Sequence, residues 1–179
     1  LHGSSDGEVL LEAASAHNVD VLVAWTLDPE AQGPFKRAPD ETRERLVARF
    51  LANGPRHYYL IRHLPTRRPL GRFYHRALKF HPPGIDWELN ILIADPGERG
   101  KGFGTTVQRL ATRSLSALPE TRSVFAYTHV ENIAEQRAPE KAGLRRVGTL
   151  PLEEYPVVSD MPAILYATMP SHVQSGRAR

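Results

Sequence analysis

From residue 18 onward, Val19, Leu22, Val23 and Thr26 recur at the three- and four-residue spacing of one helix face. The pattern predicts a helix capped by Asn18 and ended by DPE at 28–30. A loop rich in Gly and Pro leads to Asp40, expected to cap a second helix with Leu46, Val47, Phe50 and Leu51 on its apolar face, stopped by NGP at 53–55. HYYLIRH (57–63) and LGRFYHRALKF (70–80), rich in aromatic and branched residues, read as strands paired across PTRRP. The next strand, DWELNILIA (86–94), starts in strict alternation, with Asp86, Glu88 and Asn90 on one face and Trp87, Leu89 and Ile91 on the other. It ends as a continuous apolar run, as a strand does when it passes from a cleft edge into a core.

Beyond it, Val107, Leu110, Ala111, Ser114, Leu115 and Leu118 mark a third helix stopped by Pro119. SVFAYTHV (123–130) is a strand, 132–142 a helix ended by Gly143, and LRRVGTL (144–150) and AILYATM (163–169) the last two strands. With a short first strand at 8–13, the order predicts an α/β (α+β) single domain: a mixed sheet of about seven strands flanked by about four helices. Residues 1–7 are expected to be a flexible lead, 8–170 the domain and 171–179 a disordered basic tail.

Composition narrows the function classes. The 179 residues suit one domain, and no apolar run approaches the roughly 20 residues of a membrane span. The absence of cysteine excludes disulfides and thiolate chemistry, and the start of the sequence lacks a secretory pattern, so a cytoplasmic setting is expected. The eight histidines show no metal-binding spacing, so no metal is expected. The net charge of +3 is carried mostly by arginine, without the long basic block of a nucleic-acid arm. An acidic or phosphorylated ligand remains compatible.

The candidate chemistry starts at ERGKGFGTT (98–106), where glycines at 100, 102 and 104 lie between a strand and a helix start. Such a turn gathers unpaired N–H groups at the positive end of a helix dipole, an anion site to which Arg99 and Lys101 add charge at the rim. The spacing fits neither a Walker loop nor a dinucleotide fingerprint, whereas R/Q-x-x-G-x-G/A is met by Arg99, Gly102 and Gly104.

ELNILIADPGERGKGFGTTVQRLA (88–111) resembles the pyrophosphate-binding signature of the GCN-related N-acetyltransferase (GNAT) superfamily. NIAEQRAPEKAGL (132–144) resembles its second conserved segment, with Asn132, Glu140, Lys141, Gly143 and Leu144 in step. The wording of that segment, with WTLDPEAQGPF at 25–35, is similar to the RimJ/RimL-type branch. The resemblance spans residues 8–169 and implies a GNAT-like, mostly antiparallel sheet and acetyl-coenzyme A as co-substrate. It further implies that backbone amides of Arg99, Gly100, Lys101, Gly102, Phe103, Gly104 and Thr105 hold the pyrophosphate. The strand through Ile91, Leu92 and Ile93 would pair with the pantetheine arm, and Asn132, with Lys141 in the same segment, would contact the coenzyme.

The acetyl acceptor must be a neutral amine. A lysine-like amine, with a pKa of about 10.4, is scarcely neutral at pH 7 and needs a base. Glu88, on the alternating part of its strand and at the position where many GNAT members carry a catalytic glutamate, is the candidate, acting directly or through water. Pro139 and Glu135 stand where the family often has tyrosine and, in the RimJ/RimL-type branch, serine, which leaves the general acid unassigned; Tyr127 and Tyr155 are candidate substitutes. His75 and His129 could line the cleft. Acidic Glu153, Glu154 and Asp160 could attract a cationic amine. Partners expected are an amine, small or a protein N-terminus, and a second copy of the chain; nucleic acid and membrane are not expected. The rivals are a non-catalytic acyl-coenzyme A sensor of the same fold and a protein using the glycine loop for ATP or a dinucleotide.

Overall fold

The structure is a computed structural model that describes residues 1, 3, 5–34, 39–78, 84–150 and 162–168. The hydrophobic alternation of the chain folds into one sheet of eight strands in the order β1 (Ser5–Asp6), β2 (Val9–Ala13), β3 (Arg56–His63), β4 (Pro69–Leu78), β5 (Ile85–Ile93), β6 (Thr121–His129), β8 (Ala163–Ala167), β7 (Arg145–Leu150). Every pairing is antiparallel except β5 with β6, which the helix α4 (Phe103–Ser116) connects. The eighth strand is β1, two residues inside the segment expected as a lead; it pairs with β2 and its Asp6 takes Arg109 and Arg113 of α4.

Each face of the sheet buries its own set of side chains. Trp87 and Leu89 of β5 join Tyr59, Phe73, Val124 and the α4 residues Phe103, Val107, Leu110 and Leu115 in the larger core. On the opposite face, Tyr58 and Leu60 meet Val19, Leu22 and Val23 of α1 (Val19–Leu27) and Leu46 and Phe50 of α3 (Arg43–Leu51). The predicted apolar stripes of α1 and α4 are thus the buried ones, while Leu51 and Leu118 stay exposed.

Several boundaries differ from the sequence reading, each for a local reason. DPE does not simply end α1: Asp28 accepts from the Glu30 N–H and starts a further helix, α2 (Pro29–Gln32), with Pro29 at its first position. Asn18 precedes α1 without capping it, because its side chain ties Ser15, Glu12 and Ala13 together. Thr42, not Asp40, caps α3. The fifth helix, α5 (Ile133–Lys141), runs through Pro139, which removes one helical hydrogen bond without ending the helix.

Candidate active site

Parallel pairing of β5 with β6 stops at Glu88 opposite Phe125. Residues 89–93 and 126–129 continue apart, β5 held by β4 and β6 by β8, so the sheet opens as a V with Glu88 at its apex. Ile91, Leu92 and Ile93 lie on the open arm of β5, and Tyr127 and His129 on that of β6. Gly71 makes the β4–β5 contact possible, since a Cβ there would fall inside the Leu92 carbonyl oxygen.

At the wide end of the V lies the glycine loop. Gly100 and Gly102 adopt φ of 78° and 93°, the left-handed region that favours glycine, and a Cβ at either would meet nothing within 4 Å. Gly102 caps α4 without a side-chain bond, and the first turn of α4 carries no acid. None of the N–H groups of residues 100–105 has a hydrogen-bond partner among the described residues. Six orphan donors around bare glycines at a helix N-terminus form a cradle that fits a diphosphate.

Arg99 behaves differently from its expected rim role. Its backbone N–H bonds the Pro96 carbonyl at 3.2 Å. Its guanidinium donates to the carbonyls of Ile93 (3.0 Å), Glu30 (2.9 Å), Ala31 (2.8 Å) and Ala94 (3.2 Å), tying the loop to α2. Lys101 remains at the surface beside Glu98, at 3.2 Å. Asn132 caps α5, accepting from the Glu135 N–H at 3.1 Å, and Lys141 is exposed at the far end of that helix.

Glu88 is fully buried. One carboxylate oxygen accepts from the hydroxyls of Tyr74 (3.2 Å) and Tyr127 (3.0 Å), and the other is ion-paired with Arg76, which faces it across β4–β5. The alternation that sets Glu88 on the face opposite Trp87 and Leu89 is the one observed, but its three donors come from β4 and β6, and only the register reveals them. Of these, Tyr127 is the residue that the open arm of β6 brings next to Glu88.

His75 does not line the cleft. It is buried on the α4 face between Tyr59, Phe73 and Trp87, where burial, with the nearby charge of His57, pushes its pKa down to about 3. His129 ends β6, accepting from the Glu131 N–H. Pro139 is buried and carries no hydroxyl, and Glu135 accepts from Gln108. Tyr155, Glu153, Glu154, Asp160 and the tail lie outside the described residues. Among the described residues no helix is long and apolar enough to cross a membrane, and no group of three or more His, Asp or Glu could hold a metal ion.

Comparison with known proteins agrees with this geometry. No curated protein matches the chain in sequence. Among solved structures, aminoglycoside acetyltransferase AAC(6')-Ib in complex with coenzyme A and kanamycin is 20% identical with a TM-score of 0.71, the match covering 95% of this chain and 99% of that one. A chimera of spermidine N-acetyltransferase SpeG from Vibrio cholerae and hSSAT is 15% identical with a TM-score of 0.73, covering 94% and 99%. An acetyltransferase (GNAT family) from Bacillus anthracis is 14% identical with a TM-score of 0.72, covering 92% and 96%. The model of the acetyltransferase (GNAT) domain matches residues 8–145. With that match over most of the sequence, and with the V-shaped sheet and the glycine cradle in place, the chain belongs to the GNAT family of acetyl-coenzyme A-dependent acetyltransferases.

Proposed function

We propose that this chain is an N-acetyltransferase, akin to the RimJ/RimL type, that passes an acetyl group directly to an amine held in the same cleft. The observation that carries this reading is the alignment of the orphan N–H groups of residues 100–105 with the open V and the buried carboxylate at its apex. Acetyl-coenzyme A supplies the acetyl group as an activated thioester. The cradle of residues 100–105, with the open arm through Ile91, Leu92 and Ile93, would hold and orient it, so that proximity provides much of the rate.

Because Glu88 is enclosed, it receives the amine proton through a hydroxyl. Tyr127 already donates to Glu88 at 3.0 Å, so as its hydroxyl oxygen takes a proton from the amine, its own proton moves to the carboxylate. Arg76, ion-paired with the other carboxylate oxygen, fixes the orientation of Glu88 before this transfer. The thiolate that leaves takes up a proton, from this pair or from water. With no cysteine in the chain, direct transfer needs no covalent enzyme intermediate of that kind.

A second reading has its own support: the buried Pro139 where the family often has tyrosine, and the locked state of Glu88, suit an acyl-coenzyme A sensor. Titration calorimetry with acetyl-coenzyme A, using ATP and NADH as controls, followed by thiol release over an amine panel, separates the cases. An acetyltransferase binds the first ligand alone and turns over. A sensor binds without turnover, and binding of a control alone overturns both readings.

A further inference from the structure

On the face of the sheet that carries Glu88, arginines gather in excess of the carboxylates that pair with them among the described residues. Arg56 of β3 faces Arg76 of β4 in register, and Arg72 lies on the same face of β4 four residues earlier. Burial pushes the pKa of the Arg72 guanidinium down, and the charges of Arg49, from α3, and Arg56 push the same way. The Nε atoms of Arg49, Arg56 and Arg72 are sealed from solvent without a hydrogen-bond partner. They are three of the six side-chain atoms in that condition among the described residues.

Two carboxylates in this neighbourhood are already engaged, Glu41 by Arg49 and Glu88 by Arg76. Arg56 and Arg72 take part in no ion pair among the described residues; Arg56 lies over the Tyr74 ring, 5.6 Å from its centroid. Buried, charged donors without acceptors are costly and seldom retained without a use. Guanidinium groups match carboxylate and phosphate through paired, parallel hydrogen bonds. Tyr74 joins this cluster to the apex of the V, since its ring carries Arg56 and its hydroxyl donates to Glu88.

Resting on the acetyltransferase reading, we infer that the acceptor is a compact amine bearing an oxyanion, a carboxylate or a phosphate, which Arg56 and Arg72 hold while the amine faces Tyr127 and Glu88. Tyr74 touches both ends of this arrangement, its ring against Arg56 and its hydroxyl against Glu88. A polycation would bring further positive charge against a surface already in excess of it.

Matched amines test this with the full chain: alanine against alaninamide, O-phosphoethanolamine against ethanolamine, and spermidine, each assayed by thiol release from acetyl-coenzyme A. The expected result is a kcat/KM at least about tenfold higher for the anionic member of one pair, and that pair identifies the oxyanion. Arg72→Gln and, separately, Arg56→Gln should raise KM for that amine about tenfold or more, with kcat changed far less and calorimetric affinity for acetyl-coenzyme A unchanged. Arg72→Lys should recover only part of the loss, because an ammonium cannot make the paired contact. Preference for the neutral amines or spermidine overturns the inference. So does failure of both anionic amines to react in a protein that binds acetyl-coenzyme A, or no change of KM in both glutamine variants. Absence of acetyl-coenzyme A binding instead overturns the acetyltransferase reading itself, and this inference with it.

Discussion

Around residues 100–105 the groups offered to a ligand are backbone N–H, presented by glycines whose missing side chains leave open space. Across β3 and β4, on the face that carries Glu88, they are long cationic side chains, crowded and partly sealed from water. The first kind of site can accept the same phosphate chemistry in any chain that keeps the turn and the helix. The second depends on which residues stand at each strand position, so a change of one side chain changes what is bound. A common donor with a variable acceptor is the division of labour that this construction suits.

The sharpest way to break the contrast is at the apex, where the two regions meet. Glu88→Gln should reduce kcat by about a hundredfold or more, measured by thiol release at saturating acetyl-coenzyme A, with little change in coenzyme affinity. An unchanged kcat would remove Glu88 from the proton path. Gly71→Ala tests the framework that sets the V. Its new Cβ collides with the Leu92 carbonyl, so β4 and β5 must separate, and urea unfolding should show a loss of about 3 kcal/mol.

Gly102→Val tests the donor half, by placing a branched side chain at a φ of 93°. Acetyl-coenzyme A affinity should fall at least about tenfold while the KM for the amine changes less. His75 reports on the other face of the sheet. Its folded pKa, about 3, lies below its ordinary 6.5, so the unfolded chain binds the extra proton. Its contribution is therefore present above pH 6.5 and lost as pH falls toward 3, on the order of a few kcal/mol in all. Urea midpoints between pH 7 and pH 4 should fall less steeply in His75→Gln than in the parent. The smallest effect belongs to Lys101→Ala: an exposed ammonium beside Glu98 should alter coenzyme affinity threefold or less, and less again at high salt.

Much of this was legible in the order of residues. The alternation of β5 gave the face of Glu88, the stripes of α1 and α4 gave their buried sides, and the glycine spacing located the cradle. What escaped depended on partners distant in sequence. Arg99 carries the side chain of a phosphate ligand, yet carbonyls from residues 30 and 31 compete for it, and no local pattern reveals them. His75 is polar on a strand, but Tyr59 of the next strand supplies the hydroxyl that allows its burial. Arg72, Tyr74 and Arg76 do alternate in the sequence; only pairing with β3 adds Arg56 and turns a charged strand face into a cluster. The helix α2 was missed because proline after aspartate marks both the end of one helix and the first turn of another.

The guanidinium of Arg99 also carries a mechanical consequence. By binding carbonyls on both sides, it welds α2 to the loop that precedes α4. Whatever swings α2 aside must either break these bonds together or drag the loop with it. Stiffness of the glycine loop is therefore shared with α2, and a ligand that quiets one quiets the other.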